Sequence, residues 1–317
     1  MNTNLERAKN AIKIALPGSL KTCIWIVKLT VGVSFGILLL KYFNILPYIS
    51  NFLEPAFHLV GLPGEAALAY VSGYFVNVYS AIAVAVTLDL DIRAMTILSV
   101  MVLCAHNIII ETAVQKKTGT SALRIVILRT FSSIFLGFIL NIVMPVSNKV
   151  VETSVITTES LAFLPMLKEW GVSTLLLVIK MVTLIFSLNI VQKLLSEFGV
   201  IRWLSKFLRP LLAVLGLPAK TSLLWIVANF LGLAYGAAAM LEEVDSGKLS
   251  KTDIDLLNTH ICICHSNVED LFLLASVGGI WWILLFSRVI MALILVWLLK
   301  LELFIKNKIV SLQVKVN

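Results

Sequence analysis

Charge is scarce in this chain, and the scarcity decides its class. Only 14% of the 317 residues are charged, 59% are hydrophobic, and the mean hydropathy is +0.96. Soluble domains carry roughly 25% charged and 45–50% apolar residues, so a soluble globular protein is excluded. Several apolar stretches reach the length of about 20 residues that crosses a bilayer core. We therefore predict an all-α polytopic membrane protein whose main partner is the lipid bilayer.

Cysteine is also scarce, and the common motifs of enzymes are missing. All four cysteines lie in apolar segments, and the spacing of Cys262 and Cys264 is not that of a zinc finger. We expect no disulfide there. The sequence contains neither an HExxH motif nor a convincing Ser/His nucleophile arrangement. We therefore predict that the protein is not an enzyme.

Acidic residues are outnumbered by basic ones, 18 to 26, which gives a net charge of +8. In a soluble protein this surplus would suggest a nucleic-acid partner, but cytoplasmic loops of membrane proteins collect Lys and Arg. We therefore expect no nucleic-acid partner. The basic N-terminal residues lead straight into an apolar span, so we expect no cleavable signal peptide. We predict a multi-pass protein of the bacterial cytoplasmic (inner) membrane with both termini in the cytoplasm.

A phrase of fourteen residues occurs twice in the chain. SNFLEPAFHLVGLP occupies residues 50–63, SKFLRPLLAVLGLP occupies 205–218, and seven positions are identical. Internal duplication in so apolar a chain points to transporter architecture, in which substrate sites lie between the repeats. We expect one repeat at 1–145 and a second at 169–317, joined by a polar linker at 146–168.

The apolar segments follow the same order in both halves. A short segment at 45–60 has its large apolar residues on one face, as an interfacial helix does, and its counterpart is at 200–215. The longer apolar segments are predicted at 22–40, 64–88, 93–114 and 121–145, and again at 171–195, 219–241, 253–275 and 279–303.

The duplication extends to rare ionisable residues. A shift of 155 residues aligns the two phrases, and a four-residue insertion then makes the shift 159. The shift of 159 aligns His106 with His265, Glu111 with Asp270, and Arg129 with Arg288, and upstream Lys28 falls opposite Lys180. Chance agreement at four rare intramembrane positions is improbable, which favours two copies of one unit.

The distribution of basic residues predicts the topology. Eight plain crossings would leave most basic loops outside, against the positive-inside tendency. We therefore predict that the segments carrying His106 and His265 enter the membrane and return on the same side. Each repeat then crosses about three times, and the two repeats have inverted topology. This topology places Lys116 inside and both Lys248 and Lys251 outside.

Polar residues within the two predicted re-entrant segments are the main candidates for a substrate site. They are His106, Asn107 and Glu111 in the first copy, and His265, Asn267, Glu269 and Asp270 in the second. Such groups are costly in lipid and usually face a cavity or one another. Because five residues separate His106 from Glu111, we expect a helix break near Asn107. The alternative is that these side chains pair internally and hold the halves together.

Two asparagines interrupt the preceding apolar segments. Asn77 and Asn229 are predicted as further substrate-binding residues, while Gly232 and Gly236, four residues apart, favour close helix packing.

The basic residues within the spans leave the charge preference of the site open. If all of them faced one cavity, the site would favour an anion; they are Lys28, Arg129, Lys180 and Arg288. If they extend to the membrane interface instead, the remaining residues would suit a divalent transition metal. The metal ligands predicted in that case are His106, Glu111, His265 and Glu269. We expect no other cofactor, apart from a coupling ion.

The stretch FLEPAFHLVGLPGEAALAYVSGYFVNVYSAIAV resembles the nucleoside recognition, or Gate, family, whose pattern is a Pro before a GLP motif and then a helix rich in small residues. The likeness covers about 45–143 and 200–299. The family includes membrane parts of bacterial ferrous iron permeases, spore maturation membrane proteins and segments of concentrative nucleoside transporters. The resemblance implies membrane transport by two Gate units. Because the chain lacks a GxxxxGK[ST] loop, we expect no nucleotide-driven transport by this chain alone.

These observations predict a membrane transporter or permease of the Gate type, with its substrate bound between the two repeats. The expected substrate is a divalent metal ion or a small polar solute, such as an organic anion or a nucleoside-like molecule. The alternative is a non-transporting membrane scaffold or partner subunit of the spore maturation type. A homo-oligomer is compatible with either hypothesis.

Overall fold

A computed structural model describes residues 4–145 and 163–316, and every element in these ranges is helical. Helices satisfy their own backbone hydrogen bonds, as an apolar chain in lipid requires. The first half contains α1 (Asn4–Tyr42), α2 (Leu46–His58), α3 (Ala66–Phe75), α4 (Val78–Ala85), α5 (Ile92–Ala105), α6 (Ile108–Lys117) and α7 (Ala122–Val143). The second contains α8 (Phe163–Glu197), α9 (Val200–Phe207), α10 (Arg209–Val214), α11 (Ser222–Phe230), α12 (Leu233–Asp245), α13 (Lys251–Ile261), α14 (Glu269–Ser276) and α15 (Trp281–Val316).

The order of the helices agrees with the predicted order of segments. Both halves contain a long helix, a short helical segment, a broken pair, a second broken pair and a final long helix. Among the described residues, five helical stretches are long and apolar enough to cross a membrane: α1, α5 with α6, α7, α8 and α15. The protein is thus an all-α polytopic membrane protein. Most of the predicted linker, 146–162, lies outside the described residues, and the repeat boundaries stay predictions.

The first broken pair of each half is a helical hairpin. α3 and α4 pack against each other, as do α11 and α12. A Cβ atom on Gly73 would lie 2.9 Å from the Cβ of Ala81, and one on Gly236 would lie 2.9 Å from the Cβ of Ala228. The arms therefore approach closely because glycine lacks a side chain at the contact. The predicted close packing at Gly236 is confirmed, whereas Gly232 has a positive φ of 91° and lies at the hairpin turn.

Several contacts define one face of the molecule, which we call the N-terminal face. Arg7 near the start of α1 forms an ion pair with Glu197 at the end of α8, at 3.0 Å. The amine of Lys251 donates to the carbonyl of Gly119 at 2.6 Å. On the same face are the ion pairs Lys220–Asp253, at 2.6 Å, and Arg124–Glu302, at 3.4 Å. Because Lys220 precedes α11 and Asp253 follows α12, that hairpin returns to the face from which it started.

Another group of contacts defines the opposite face. The guanidinium of Arg93 donates to the carbonyls of Gly61, before α3, at 3.5 Å and of Asn141 at 2.7 Å. The backbone N–H of Ile280 donates to the hydroxyl of Thr96 at 3.1 Å. The hairpin of α3 and α4 thus also returns to its starting face, and α5 with α6, like α13 with α14, runs between the two faces. The first half starts at the N-terminal face and the second at the opposite face.

The predicted position of the re-entrant segments was wrong. The fold-back occurs in the preceding pair of helices, and the segments carrying His106 and His265 are broken but run through. The prediction had placed Lys251 and Lys116 on opposite sides of the membrane. In the structure Lys251 lies beside Gly119, close to Lys116, so both lysines are on the same face. The predicted number of about three crossings per half is unchanged. Hydropathy could not distinguish two adjacent apolar segments of similar length, whereas the glycine contacts of the hairpin do.

Candidate functional site

The second broken pair of each half turns at one residue in the left-handed conformation. α5 ends at Ala105, Asn107 has φ 50°, and α6 begins at the next residue. In the second half, α13 ends at Ile261 and Ser266 has φ 53°. A left-handed residue cannot continue a right-handed helix, so the chain changes direction at both places. The break expected near Asn107 is confirmed.

Each break is bonded to the hairpin of its own half. The backbone N–H of Asn107 donates to the carbonyl of Gly73 at 2.9 Å, and that of Ser266 donates to the carbonyl of Ala228 at 3.2 Å. The shift of 159 residues aligns the two donors, Asn107 and Ser266. The shift of 155 residues aligns the two acceptors, Gly73 and Ala228. The two breaks are therefore equivalent features of the fold.

A fully buried arginine binds the carbonyl groups at each break. Arg129 of α7 donates to the carbonyls of Cys104, at 2.9 Å, and His106, at 2.7 Å. Arg288 of α15 donates to the carbonyl of His265 at 3.2 Å and to the amide oxygen of Asn267 at 2.5 Å. Carbonyls at a helix end lack their usual partner four residues on. The arginines supply it, so they do not extend to the membrane interface.

The two lysines behave differently from the arginines. Lys28 on α1 and Lys180 on α8 are exposed on the helix surface, and the amine of Lys180 donates to the carbonyl of Ser276. Neither lysine contacts the histidines or carboxylates of the breaks within the described residues. The basic residues aligned by the sequence therefore divide into two buried arginines and two peripheral lysines.

The ring orientation of both histidines is fixed by the preceding helix. Nδ1 of His106 lies 3.1 Å from the carbonyl oxygen of Val102, and Nδ1 of His265 lies 2.7 Å from that of Ile261. A carbonyl oxygen only accepts hydrogen bonds, so the proton of each neutral ring is on Nδ1. Nε2 of each ring is then free to bind a proton or a metal ion.

The Nε2 atoms meet carboxylates across the boundary between the halves. Nε2 of His106 lies 3.0 Å from Glu111 and 3.5 Å from Asp270 of the second half. Nε2 of His265 lies 3.3 Å from Glu111 of the first half. The ring centroids of the two histidines are 5.2 Å apart. An unprotonated Nε2 and a carboxylate both present lone pairs, so these contacts require a proton or a cation between them.

The carboxylates of the site have different partners. Glu111 forms an ion pair with Arg129 at 2.7 Å. Asp270, which aligns with Glu111, contacts His106 but no arginine within the described residues. Glu269 accepts a hydrogen bond of 2.5 Å from the hydroxyl of Tyr79 on α4. The side chains of Glu111 and Asp270 are 11% and 13% exposed, whereas those of the histidines are at most 4% exposed. The carboxylates are therefore more accessible than the histidines, and a ligand entering the site would meet them first.

Three ligand atoms of this cluster lie close enough together to hold a metal ion. Donor atoms of His106, His265 and Asp270 lie within 4.8 Å of one another. Imidazole with carboxylate suits divalent transition metals. Asp270 thus takes the place that the sequence analysis gave to Glu269, which is held by Tyr79 instead. Glu111 is close by, but its charge is balanced by Arg129.

The predicted amide residues are only partly brought together. Asn267 donates to the amide oxygen of Asn229 at 2.6 Å and accepts from Arg288, so these three side chains form a chain beside His265. Asn77 instead caps α4, where its side-chain oxygen accepts from the N–H of Ser80 at 2.9 Å. The amide oxygen of Asn107 is buried without a hydrogen-bond partner among the described residues.

Tyr79 is the contact that sequence reasoning missed. It lies two residues after Asn77, and a tyrosine hydroxyl in an apolar helix normally finds a partner. That signal was present, but the partner, Glu269, is 190 residues away and belongs to the other half.

Two comparisons with known proteins bear on the identity of the chain. Residues 23–149 match the family described as nucleoside recognition, named Gate. The uncharacterized membrane protein YvoD of Bacillus subtilis (strain 168) is 30% identical over 271 residues, which cover 84% of this chain and 87% of that protein. No solved structure matches the chain. The chain therefore belongs to the nucleoside recognition (Gate) family of membrane proteins.

Proposed function

We propose that the protein is a transporter or permease that binds a small polar cargo between its two halves. The observation that carries the proposal is the reciprocal contact of the breaks: Glu111 of the first half faces His265 of the second, and Asp270 of the second faces His106 of the first. Ionisable groups at intramembrane depth mark substrate or ion pathways. Broken helices at the boundary between two halves are also where transporters bind their substrates.

A divalent transition metal ion is the cargo that the site chemistry favours. Both Nε2 atoms and one carboxylate converge, and the lone pairs at these contacts require a positive charge. Arg129 is already paired with Glu111, and Arg288 points to a carbonyl and an amide oxygen. The positive charges of both buried arginines are thus already bound by protein oxygens, which weakens the case for an anionic cargo.

Uptake into proteoliposomes tests the proposal. Mn²⁺, Co²⁺ and Zn²⁺ are offered separately, with radiolabelled uridine as a probe for a nucleoside-like cargo. We expect His106→Ala and His265→Ala each to lower uptake of the transported metal at least about tenfold, because each removes one of three ligands. His58→Ala, at an exposed position on α2, is the matched control and should leave uptake unchanged. Metal uptake that persists in both cluster variants would contradict the proposed site.

A membrane scaffold is the second candidate, and the closed geometry of the cluster favours it. The histidine side chains are at most 4% exposed, and their partners lie in both halves, so the cluster can hold the halves together. In that case the same variants lower the melting temperature, and the wild-type protein moves none of the probes. A catalytic role is not proposed, since neither a nucleophile arrangement nor an HExxH motif occurs in the sequence.

We also propose that the N-terminal face lies in the cytoplasm of a bacterial cell. Arg7, Lys251, Lys220 and Arg124 all lie on that face. Basic residues collect on the cytoplasmic side of membrane proteins. A cysteine placed at Lys251 should resist an impermeant thiol reagent added to intact cells, and rapid labelling would reverse the orientation.

A further inference from the structure

Polar side chains form a row between the histidine–carboxylate cluster and the N-terminal face. Glu111 and Gln115 of α6 and its C-cap residue Thr118 are spaced by four and three residues, which places them along one side of the helix. On α13, Asp255 and Asn258 are spaced by three residues. We call these residues, with Thr112, Thr120 and Thr259, the polar row.

Hydrogen bonds join five members of the polar row, from Gln115 to Asp255. The amide of Gln115 donates to the carbonyl of Asn258 at 3.3 Å. The amide of Asn258 donates to the hydroxyls of Thr118, at 2.7 Å, and Thr120, at 2.8 Å. Thr120 donates to Asp255 at 2.7 Å, and Asp255 pairs with Lys251, whose side chain is 62% exposed. The row therefore begins at the buried cluster and ends at the surface.

Four polar atoms along this row have no hydrogen-bond partner among the described residues. They are Oγ1 of Thr112, Oε1 of Gln115, Oδ1 of Asn258 and Oγ1 of Thr259. Thr112 is 6% exposed, and the other three residues are fully buried. Buried polar groups are normally paired with protein or with ordered water. These acceptor and hydroxyl atoms therefore provide hydrogen-bond partners for a chain of water molecules along the row.

We propose that the polar row is a narrow water path that connects the cluster with the N-terminal face. It lets water, and the protons that water carries, reach the site from that face. Its use during transport rests on the proposed function, whereas the hydration of the row can be measured without any transport.

The path is one-sided. A shift of 159 residues places Leu274 of α14 opposite Gln115, Val277 opposite Thr118, and Gly279 opposite Thr120. Leu274 is 2% exposed and packs in the apolar core. The positions in and directly after α14 that correspond to Gln115 and Thr118 therefore carry apolar side chains, and the second route has fewer polar groups than the polar row.

Radiolytic hydroxyl-radical footprinting tests the path, because the radicals form from water at the position of the water. The full chain is exposed in nanodiscs in isotopically labelled water, and oxidation is located by mass spectrometry. Cys262 is the native reporter, since it lies one helical turn beyond Asn258, to whose carbonyl its N–H donates. Cys104 of α5 is equally buried and is not a member of the row, so it serves as the internal reference.

We expect Cys262 to be oxidised faster than Cys104 by roughly an order of magnitude, since buried water would lie beside it. Gln115→Leu should remove most of that difference, and Thr112→Val should reduce it, provided that both variants keep the wild-type melting temperature to within a few degrees. The matched control is Gln192→Leu, which changes a buried glutamine of α8 outside the row. Equal oxidation of the two cysteines in the wild type, or oxidation of Cys262 that neither row variant reduces, would overturn the water path. The transport proposal would be untouched by that outcome.

Discussion

The contact of α6 with α13 and the contact of α14 with α5 occupy equivalent positions in the two halves, but they are built from different side chains. The first contains Glu111, Gln115 and Asn258, joined by hydrogen bonds toward the N-terminal face. The second contains Asp270 and Leu274, with Ser99 at the position that aligns with Asn258. The backbone frame is thus shared by both halves, whereas the polar chemistry is concentrated on one side.

The buried arginines repeat this difference. Both donate to the carbonyl of the histidine at their break. Among the residues that the structure describes, Arg129 alone also pairs with a carboxylate, that of Glu111, and the aligned residue of the second half is the shorter Asp270. Within the described residues Arg288 reaches an amide oxygen instead. A similar pair of helix breaks can therefore hold either a balanced ion pair or a positive charge bound to neutral oxygens.

The largest expected effect comes from comparing the two arginines. Arg129→Gln leaves the buried Glu111 carboxylate without its arginine partner and should lower the free energy of unfolding by about 3–5 kcal/mol. Arg288→Gln removes hydrogen bonds to neutral groups and should cost only about 1–3 kcal/mol. Denaturation of the purified protein in mild detergent measures both values.

A second substitution sharpens that comparison. Glu111→Gln in the Arg129→Gln background removes both charges and should recover more than half of the lost stability, because no uncompensated charge remains. Equal costs for the two arginines, or no recovery in the double variant, would show that the ion pair does not distinguish the halves.

The hairpins offer an intermediate test. Gly73→Ala places a methyl group 2.9 Å from the Cβ of Ala81 and should destabilise the protein by about 1–3 kcal/mol. In the second hairpin the glycine is on the second arm: Gly236 of α12 packs against Ala228 of α11, whereas Gly73 is on the first arm of its hairpin. The double variant Gly73→Ala with Ala81→Gly copies that arrangement and should recover most of the loss in melting temperature. A double variant as unstable as Gly73→Ala would mean that the hairpins are not equivalent.

The smallest effect is expected at the surface end of the polar row. Asp255→Asn weakens the pair with Lys251, whose side chain is 62% exposed, and should change the stability by less than about 1 kcal/mol. The change should shrink further in high salt, because salt screens exposed charges. A loss of several kcal/mol, independent of salt, would show that Asp255 supports the buried part of the row instead of closing it at the surface.

Much of the frame could be predicted from the residues. The low charge content indicated a polytopic helical protein, and the repeated phrase supplied the shifts that align His106 with His265 and Arg129 with Arg288. The break at Asn107 followed from the five-residue spacing of His106 and Glu111. The fold-back could not be assigned correctly, because two neighbouring segments of similar length are both apolar, and the sequence does not show which of them folds back. The role of Tyr79 could not be predicted either, since its partner is distant in sequence.

The sequence by itself determined the class of the protein, the order of its helices and some of the residues that meet at the site, because burial of apolar residues and the cost of charge in lipid act locally along the chain. Only the tertiary structure decided which partner each of these residues has. It placed Asp270 rather than Glu269 beside the histidines, and it put both arginines on carbonyl groups. The physical reason is that side-chain length and the direction of each broken helix fix these contacts, and both are set only when the two halves pack together.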